Sequence, residues 1–133
     1  MARILIIDDD PEILTLLETA LSGNGHNVQT ANNGRDGLRL LGENPFDVVI
    51  TDIIMPKVDG FSVIMAIKDM PLHPRIIAIS GGSVGIPQDG LMMVAKAMGI
   101  QRILPKPFSL DELFAAVGSH ELYEDCSDQI DPE

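Results

Sequence analysis

The chain has one cysteine, no tryptophan and only 4% aromatic residues, and it contains no long apolar run. Cys126 has no partner for an internal disulfide, which excludes a disulfide framework and agrees with a reducing compartment. No apolar stretch approaches the roughly 18 residues that a membrane-spanning helix needs. Met1-Ala2-Arg3 leads directly into a strand-like run, which leaves no space for a signal peptide. These absences predict a cytoplasmic protein with no membrane partner. Positive charge is scarce as well, since 20 acids face 9 bases for a net charge of -11. That balance disfavours nonspecific binding to nucleic acid or to an anionic membrane. Part of the excess is local: Glu121, Glu124, Asp125, Asp128, Asp131 and Glu133 crowd the last 13 residues, where no Lys or Arg occurs. Residues 121–133 are therefore expected to form an acidic, flexible tail behind a single domain, 1–120.

What is present is an alternation, five times over, of short apolar runs and segments of helical period. That pattern belongs to a parallel sheet covered on both faces. Strands are predicted at about 3–7, 27–30, 46–51, 75–79 and 102–104. Asp10 is a predicted helix cap with Pro11 in the first turn, and Ile13, Leu16, Leu17, Ala20 and Leu21 recur at core-facing spacing. Ser22-Gly23-Asn24-Gly25 ends that helix. A second follows Asn32-Asn33-Gly34, carries Leu38 and Leu41, and is broken by Asn44-Pro45. Asp59-Gly60 begins a third, with Phe61, Ile64, Met65 and Ile67 assigned to its inner side. A glycine-rich stretch, Gly81 to Pro87, reads as a mobile loop. A fourth helix carries Leu91, Val94, Ala95 and Met98. The fifth starts at Ser109, has Asp111 and Glu112 in its first turn, and is expected to bury Leu110, Leu113, Phe114 and Val117.

Chemistry collects at the ends of the predicted strands. Ile4 to Ile7 runs into Asp8-Asp9-Asp10, Val48 to Thr51 into Asp52, Ile76 to Ile79 into Ser80, and Arg102 to Leu104 toward Lys106. In parallel α/β folds these carboxyl ends are where ligands bind. Three convergent carboxylates repel one another unless a cation intervenes, and Mg²⁺ favours oxygen ligands with a phosphate among them. A carboxylate beside Mg²⁺ is also a competent nucleophile toward a phosphoryl group, with Lys106 as a second positive clamp and Ser80 as a hydrogen-bond donor. Singly, each residue has a plainer reading. Asp10 is a cap, Ser80 a turn residue, Lys106 a solvated charge, and Asp8-Asp9 as readily surface acids as a metal site. The conjunction of all four strand ends favours the site.

These same segments, ILIIDDDP at 4–11, DVVITDIIMPKVDGF at 47–61, IIAIS at 76–80 and LPKPF at 104–108, resemble the receiver domain of two-component response regulators. The resemblance spans about Arg3 to Gly118. It implies a flavodoxin-like, doubly wound α/β fold with a five-stranded parallel sheet of order 2-1-3-4-5 and five helices. It further implies that Asp52 accepts a phosphoryl group from a histidine kinase or a histidine phosphotransfer protein. Asp9 and Asp52 would ligate Mg²⁺ directly, Asp8 largely through water, and the backbone carbonyl of Ile54 would be another ligand. Ser80 matches the switch hydroxyl and Lys106 the phosphate-contacting lysine, with a cis Lys106-Pro107 bond.

Two features depart from the family. Ile103 stands where an aromatic residue or histidine normally reports phosphorylation, and the Ser80 to Lys106 segment is a few residues longer than usual. The expectation is a stand-alone receiver, not an enzyme, signalling through an unknown downstream protein or as a phosphate relay. A receiver excised from a larger regulator or hybrid kinase is the alternative. A haloacid-dehalogenase-type phosphatase also uses a strand-end aspartate. It needs a first motif that Pro11-Glu12 does not complete.

Overall fold

The computed structural model describes residues 2–52, 60–70, 74–80, 97, 100, 102–105 and 108–126. Among them the chain runs β1 (Arg3–Ile7), α1 (Pro11–Gly23), β2 (Asn27–Ala31), α2 (Gly34–Glu43), β3 (Val48–Asp52), α3 (Gly60–Lys68), β4 (Arg75–Ser80), β5 (Arg102–Pro105) and α4 (Leu110–Cys126). The five strands form one parallel sheet of order β2-β1-β3-β4-β5. A single row of paired residues, Ala31, Ile7, Thr51, Ala78 and Ile103, crosses the whole sheet. This is the doubly wound architecture, with its order reversal beside β1 and β3.

Strand periodicity divides the core in two. Leu5, Ile7, Val49, Ile76 and Ala78 meet Leu41 of α2 and Val63, Ile64 and Ile67 of α3. The alternate residues, Ile4, Ile6, Val48, Ile50, Ile77 and Ile79, meet Leu14, Leu17 and Leu21 of α1 and Leu113, Ala116 and Val117 of α4. Each fully buried Ile or Leu contributes about 1.5–3 kcal/mol. Near-continuous β-branched runs are what a sheet covered on both faces requires.

The helix ends follow from their side chains. Asp10 caps α1 by accepting from the Glu12 N–H at 2.9 Å, and Asn33 caps α2 by accepting from the Asp36 N–H at 2.8 Å. At α4, Ser109 Oγ accepts from the Glu112 N–H while Glu112 Oε1 accepts from the Ser109 N–H, a reciprocal capping box. Just past the end of α1, Gly25 takes φ 95°, a conformation that glycine adopts without strain. The His26 N–H then donates to Leu21 O and the Gly25 N–H to Ser22 O, satisfying carbonyls of the last turn.

Several expectations need correction. Leu16 (51% exposed), Met65 (55%) and Leu110 (44%) do not face the core. Leu14 does, and Leu16 lies about 200° around the helix from it. Composition marks these residues as apolar, but the rotation of each helix is set by the sheet beneath. β3 begins at Val48 rather than Phe46 and includes Asp52, and β2 reaches Ala31. The expected loop Gly81–Pro87, the Phe61 side chain and the helix around Leu91 to Met98 lie outside the described residues, apart from the helical Ala97.

α2 lies close to β1 at Gly37, where an added Cβ would meet Ile7 Cδ1 and stand 2.7 Å from Ile7 Cγ1. In an ordinary helix interior Gly→Ala stabilises by roughly 1 kcal/mol. Here the sign should reverse, with Gly37→Ala costing about 1–3 kcal/mol in urea unfolding through overpacking; a stabilised variant would contradict the close approach. His26 gives a pH dependence. Burial, then the positive chain terminus, hold its imidazole below the ordinary value of 6.5, and its Nδ1 accepts from the Ala2 N–H at 3.0 Å. Between the lowered folded value and 6.5 the unfolded chain binds more protons, so stability rises with pH across that window and is lost as pH falls through it. The melting temperature should therefore drop between pH 7.5 and 5.5 in the wild type and drop less in His26→Asn.

Candidate functional site

β1 and β3 are neighbours in register, so the residues that leave their carboxyl ends emerge side by side. Asp8 follows Ile7, and Asp52 is the last residue of β3, one step beyond the row that pairs Ile7 with Thr51. Both continue the alternation of the α1 and α4 face. Asp8 is fully buried and Asp52 is 8% exposed, whereas Asp9 is open to solvent. Each of the three offers a carboxylate oxygen, and these oxygens all lie within 4.8 Å of one another.

The backbone fixes this cluster. The Asp8 N–H donates to Ala31 O at 3.1 Å, extending the β1–β2 ladder by one residue. Asp8 Oδ1 accepts from the Asp10 N–H at 2.9 Å, which folds the acidic run into the first turn of α1. Asp10 itself points to the Glu12 amide, so its plainer reading as a cap holds. The Thr51 hydroxyl is buried and donates to Asp52 O at 3.1 Å. Two of these parts, the Ala31 carbonyl and the Asp10 N–H, are backbone groups and carry no signal in the sequence.

Unit like charges about 4 Å apart repel by roughly 1 kcal/mol in water and about 4 kcal/mol at an effective dielectric constant of 20. Two of these carboxylates are largely withdrawn from water. The donor set is all oxygen, hard and anionic, and its exposed member leaves access for water. That chemistry fits Mg²⁺, which keeps several waters and binds through a few carboxylates. Ser80 closes β4 in register with Pro105, one residue beyond the Ile79 that pairs with Asp52. The Ser80 side chain, Ile54 and Lys106 lie outside the described residues.

Comparison with known proteins agrees with this geometry. The family model described as response regulator receiver domain matches residues 4–118. The chain is 38% identical over 117 residues to the transcriptional regulatory protein GlrR of Escherichia coli (strain K12), covering 87% of this chain and 25% of that protein. It is 33% identical to the transcriptional regulatory protein CpxR homolog of Haemophilus influenzae, over 88% of this chain and 49% of that one. Among solved structures, a response regulator receiver domain protein from Clostridium thermocellum superposes with a TM-score of 0.82 at 32% identity, over 94% of this chain and 98% of that chain. The response regulator TrrA from Thermotoga maritima, in complex with Mg²⁺-BeF, gives 0.77 at 29% identity, over 90% and 98%.

The chain belongs to the response regulator receiver domain family of two-component signalling. Receivers are phosphoacceptor domains phosphorylated by histidine kinases, not conventional enzymes, and the family binds Mg²⁺ at its acidic pocket. The match decides against the haloacid-dehalogenase reading. The chain spans between a quarter and a half of the length of the two curated relatives. No helix among the described residues is long and apolar enough to cross a membrane.

If the carboxylates form one cation site, Mg²⁺ should stabilise the fold by mass action, by about 2.7 kcal/mol at a hundred times its dissociation constant. The melting temperature should rise with Mg²⁺ in the wild type and far less in Asp9→Ala. Without metal, Asp52→Asn should melt higher than the wild type because one repulsive charge is gone. Equal responses to Mg²⁺ in wild type and Asp9→Ala would mean that the three acids do not act together.

Proposed function

We propose that Asp52 is the phosphoacceptor of this receiver, taking a phosphoryl group from a histidine kinase or a histidine phosphotransfer protein. One observation carries the reading. Asp52 lies nearly buried at the carboxyl end of β3, with oxygens of Asp8 and Asp9 within 4.8 Å. Asp9 and Asp52, with the Ile54 carbonyl, would ligate Mg²⁺ directly, and Asp8 would act largely through water. When bound, the ion neutralises charge on the transferring phosphoryl oxygens.

In the transfer, an Asp52 carboxylate oxygen attacks phosphorus and a new O–P bond forms as the donor's N–P bond breaks. The bonding pair returns to the donor imidazole, which takes up a proton. Burial holds the Asp52 carboxylate in line and limits competition from water. Lys106 stabilises the negative oxygens, and the Ser80 hydroxyl donates a hydrogen bond to the product. The resulting acyl phosphate is the signal, read through phosphorylation-dependent binding of a downstream protein or passed on in a relay. The net charge of -11 supports a protein partner rather than nucleic acid or an anionic membrane for the receiver itself. The reading is the same whether the receiver acts alone or as a module of a longer regulator.

Ile103 is partly buried against the cluster of Val63, Ile64 and Ile67, and an aliphatic side chain has no polar tip to follow the Ser80 hydroxyl. The signal is therefore proposed to depend more on the 81–98 segment, which apart from Ala97 lies outside the described residues.

With Mg²⁺ and acetyl phosphate, intact-mass analysis should show one added phosphoryl group, and chelation of the metal should prevent it. Asp52→Asn should abolish labelling, because an amide is a poor nucleophile. Wild-type labelling of the Asn variant would remove Asp52 from this role. Multiple turnover of a small phosphomonoester would instead indicate a phosphatase.

A further inference from the structure

Thr51 is fully buried, and among the described residues it is the one uncharged polar side chain in the core. Strand alternation puts it on the face of Val49, which packs against α2 and α3, with Ile7 and Ala78 as its register partners. Valine has nearly the same shape and would carry no polar desolvation cost there, whereas a buried hydroxyl needs an acceptor. Its acceptor is the Asp52 carbonyl, at 3.1 Å. A side chain on the helix-covered apolar face thus grips the backbone of a residue whose own side chain lies in the acidic cluster on the other face.

That carbonyl is a lever on the carboxylate. The peptide joining Asp52 to Ile53 is planar, so the place of its oxygen relative to Thr51 follows from the Thr51 ψ and the Asp52 φ and ψ. The first two of these angles also set the direction of the Asp52 Cα–Cβ bond. Thr51 is β-branched, which restricts its χ1 and with it the direction of its hydroxyl. Sheet pairing is also thinner at Asp52 than at Thr51. The register with β1 ends at Ile7 and Thr51, while the register with β4 runs on to Asp52 and Ile79. On the β1 side the next residue, Asp8, gives its N–H to Ala31 of β2.

We propose that Thr51 is a positioning residue for Asp52. Its hydroxyl holds the Asp52 backbone from the opposite face of the sheet, so that the carboxylate stays aimed into the cluster with Asp8 and Asp9. The proposal rests on the reading of Asp52 as phosphoacceptor and adds to it the residue that keeps the nucleophile in line.

Four chains separate positioning from packing. Wild type and Thr51→Ser carry the hydroxyl, and Thr51→Val and Thr51→Ala do not. Wild type and Thr51→Val fill the core, and the two smaller variants leave a gap. Melting temperature should follow volume, with Thr51→Val at or above wild type and Thr51→Ser and Thr51→Ala below it. The rate of labelling by acetyl phosphate at saturating Mg²⁺ should follow the hydroxyl instead. It should fall at least about fivefold in Thr51→Val and Thr51→Ala, and stay within about twofold of wild type in Thr51→Ser. The Mg²⁺ concentration that gives half of the melting shift should rise at least about threefold in Thr51→Val and return in Thr51→Ser. Labelling rates that track melting temperature, wild-type labelling of Thr51→Val, or an unshifted Mg²⁺ midpoint in that variant would each overturn the proposal. Should Thr51→Val fail to fold, the Ser and Ala variants decide by the same criteria. Normal labelling of Asp52→Asn would instead remove the phosphoacceptor reading, and the Mg²⁺ midpoint would then decide whether Thr51 positions Asp52.

Discussion

Asp8 and Asp52 are taken out of water next to each other at one end of a sheet, with Asp9 standing over them in solvent. Mutual repulsion works against that arrangement, and hydrophobic burial along β1 and β3 holds it. Ile4 through Ile7 and Val49 and Ile50 are fully buried, and their parallel register leaves the two acids nowhere to separate. Like-charge repulsion within the trio is what a bound cation would relieve. An amide from Asp10 and the extended ladder to Ala31 keep Asp8 pointed into the cluster.

The same register explains why the two faces of the sheet have different roles. A slip of one residue would exchange the residues that meet α2 and α3 for those that meet α1 and α4. It would also turn Asp8 and Asp52 toward the wrong helices. Burial on both faces makes such a slip prohibitive, and Gly37 adds a local constraint by letting α2 settle on Ile7. The precision of the acidic pocket is thus a property of the hydrophobic core rather than of the acids themselves.

Charge is segregated between the two ends of the sheet. The carboxylates occupy the carboxyl end, and the buried guanidinium of Arg75 the amino end, where it meets the carbonyls of α4. Near it, Asp47 accepts from the Arg3 N–H at 2.8 Å, and the Arg3 guanidinium lies 5.7 Å over the Phe46 ring. The amino end is thereby tied together by polar contacts, while the carboxyl end gathers three carboxylates whose oxygens could hold a cation.

Much of this was legible from sequence because parallel strands buried on both faces announce themselves as β-branched runs, and the residues just after each run must sit at the carboxyl edge. Strand count, fold class, the Asp10 cap and the acidic trio at 8, 9 and 52 all come from that logic. The helix faces did not. Leu16, Met65 and Leu110 are as apolar as the residues that were buried in their place, and only the angle at which each helix lies on the sheet separates the two sets. Arg75 was equally silent, since an arginine at the start of a strand reads as a solvated end. Its partners are carbonyl groups more than 40 residues away, brought within reach only when α4 packs across β4. Local pattern specifies which elements form and which chemistry they carry; tertiary packing decides which face turns inward and where a buried charge finds its acceptors, because those depend on contacts that no short stretch of chain contains.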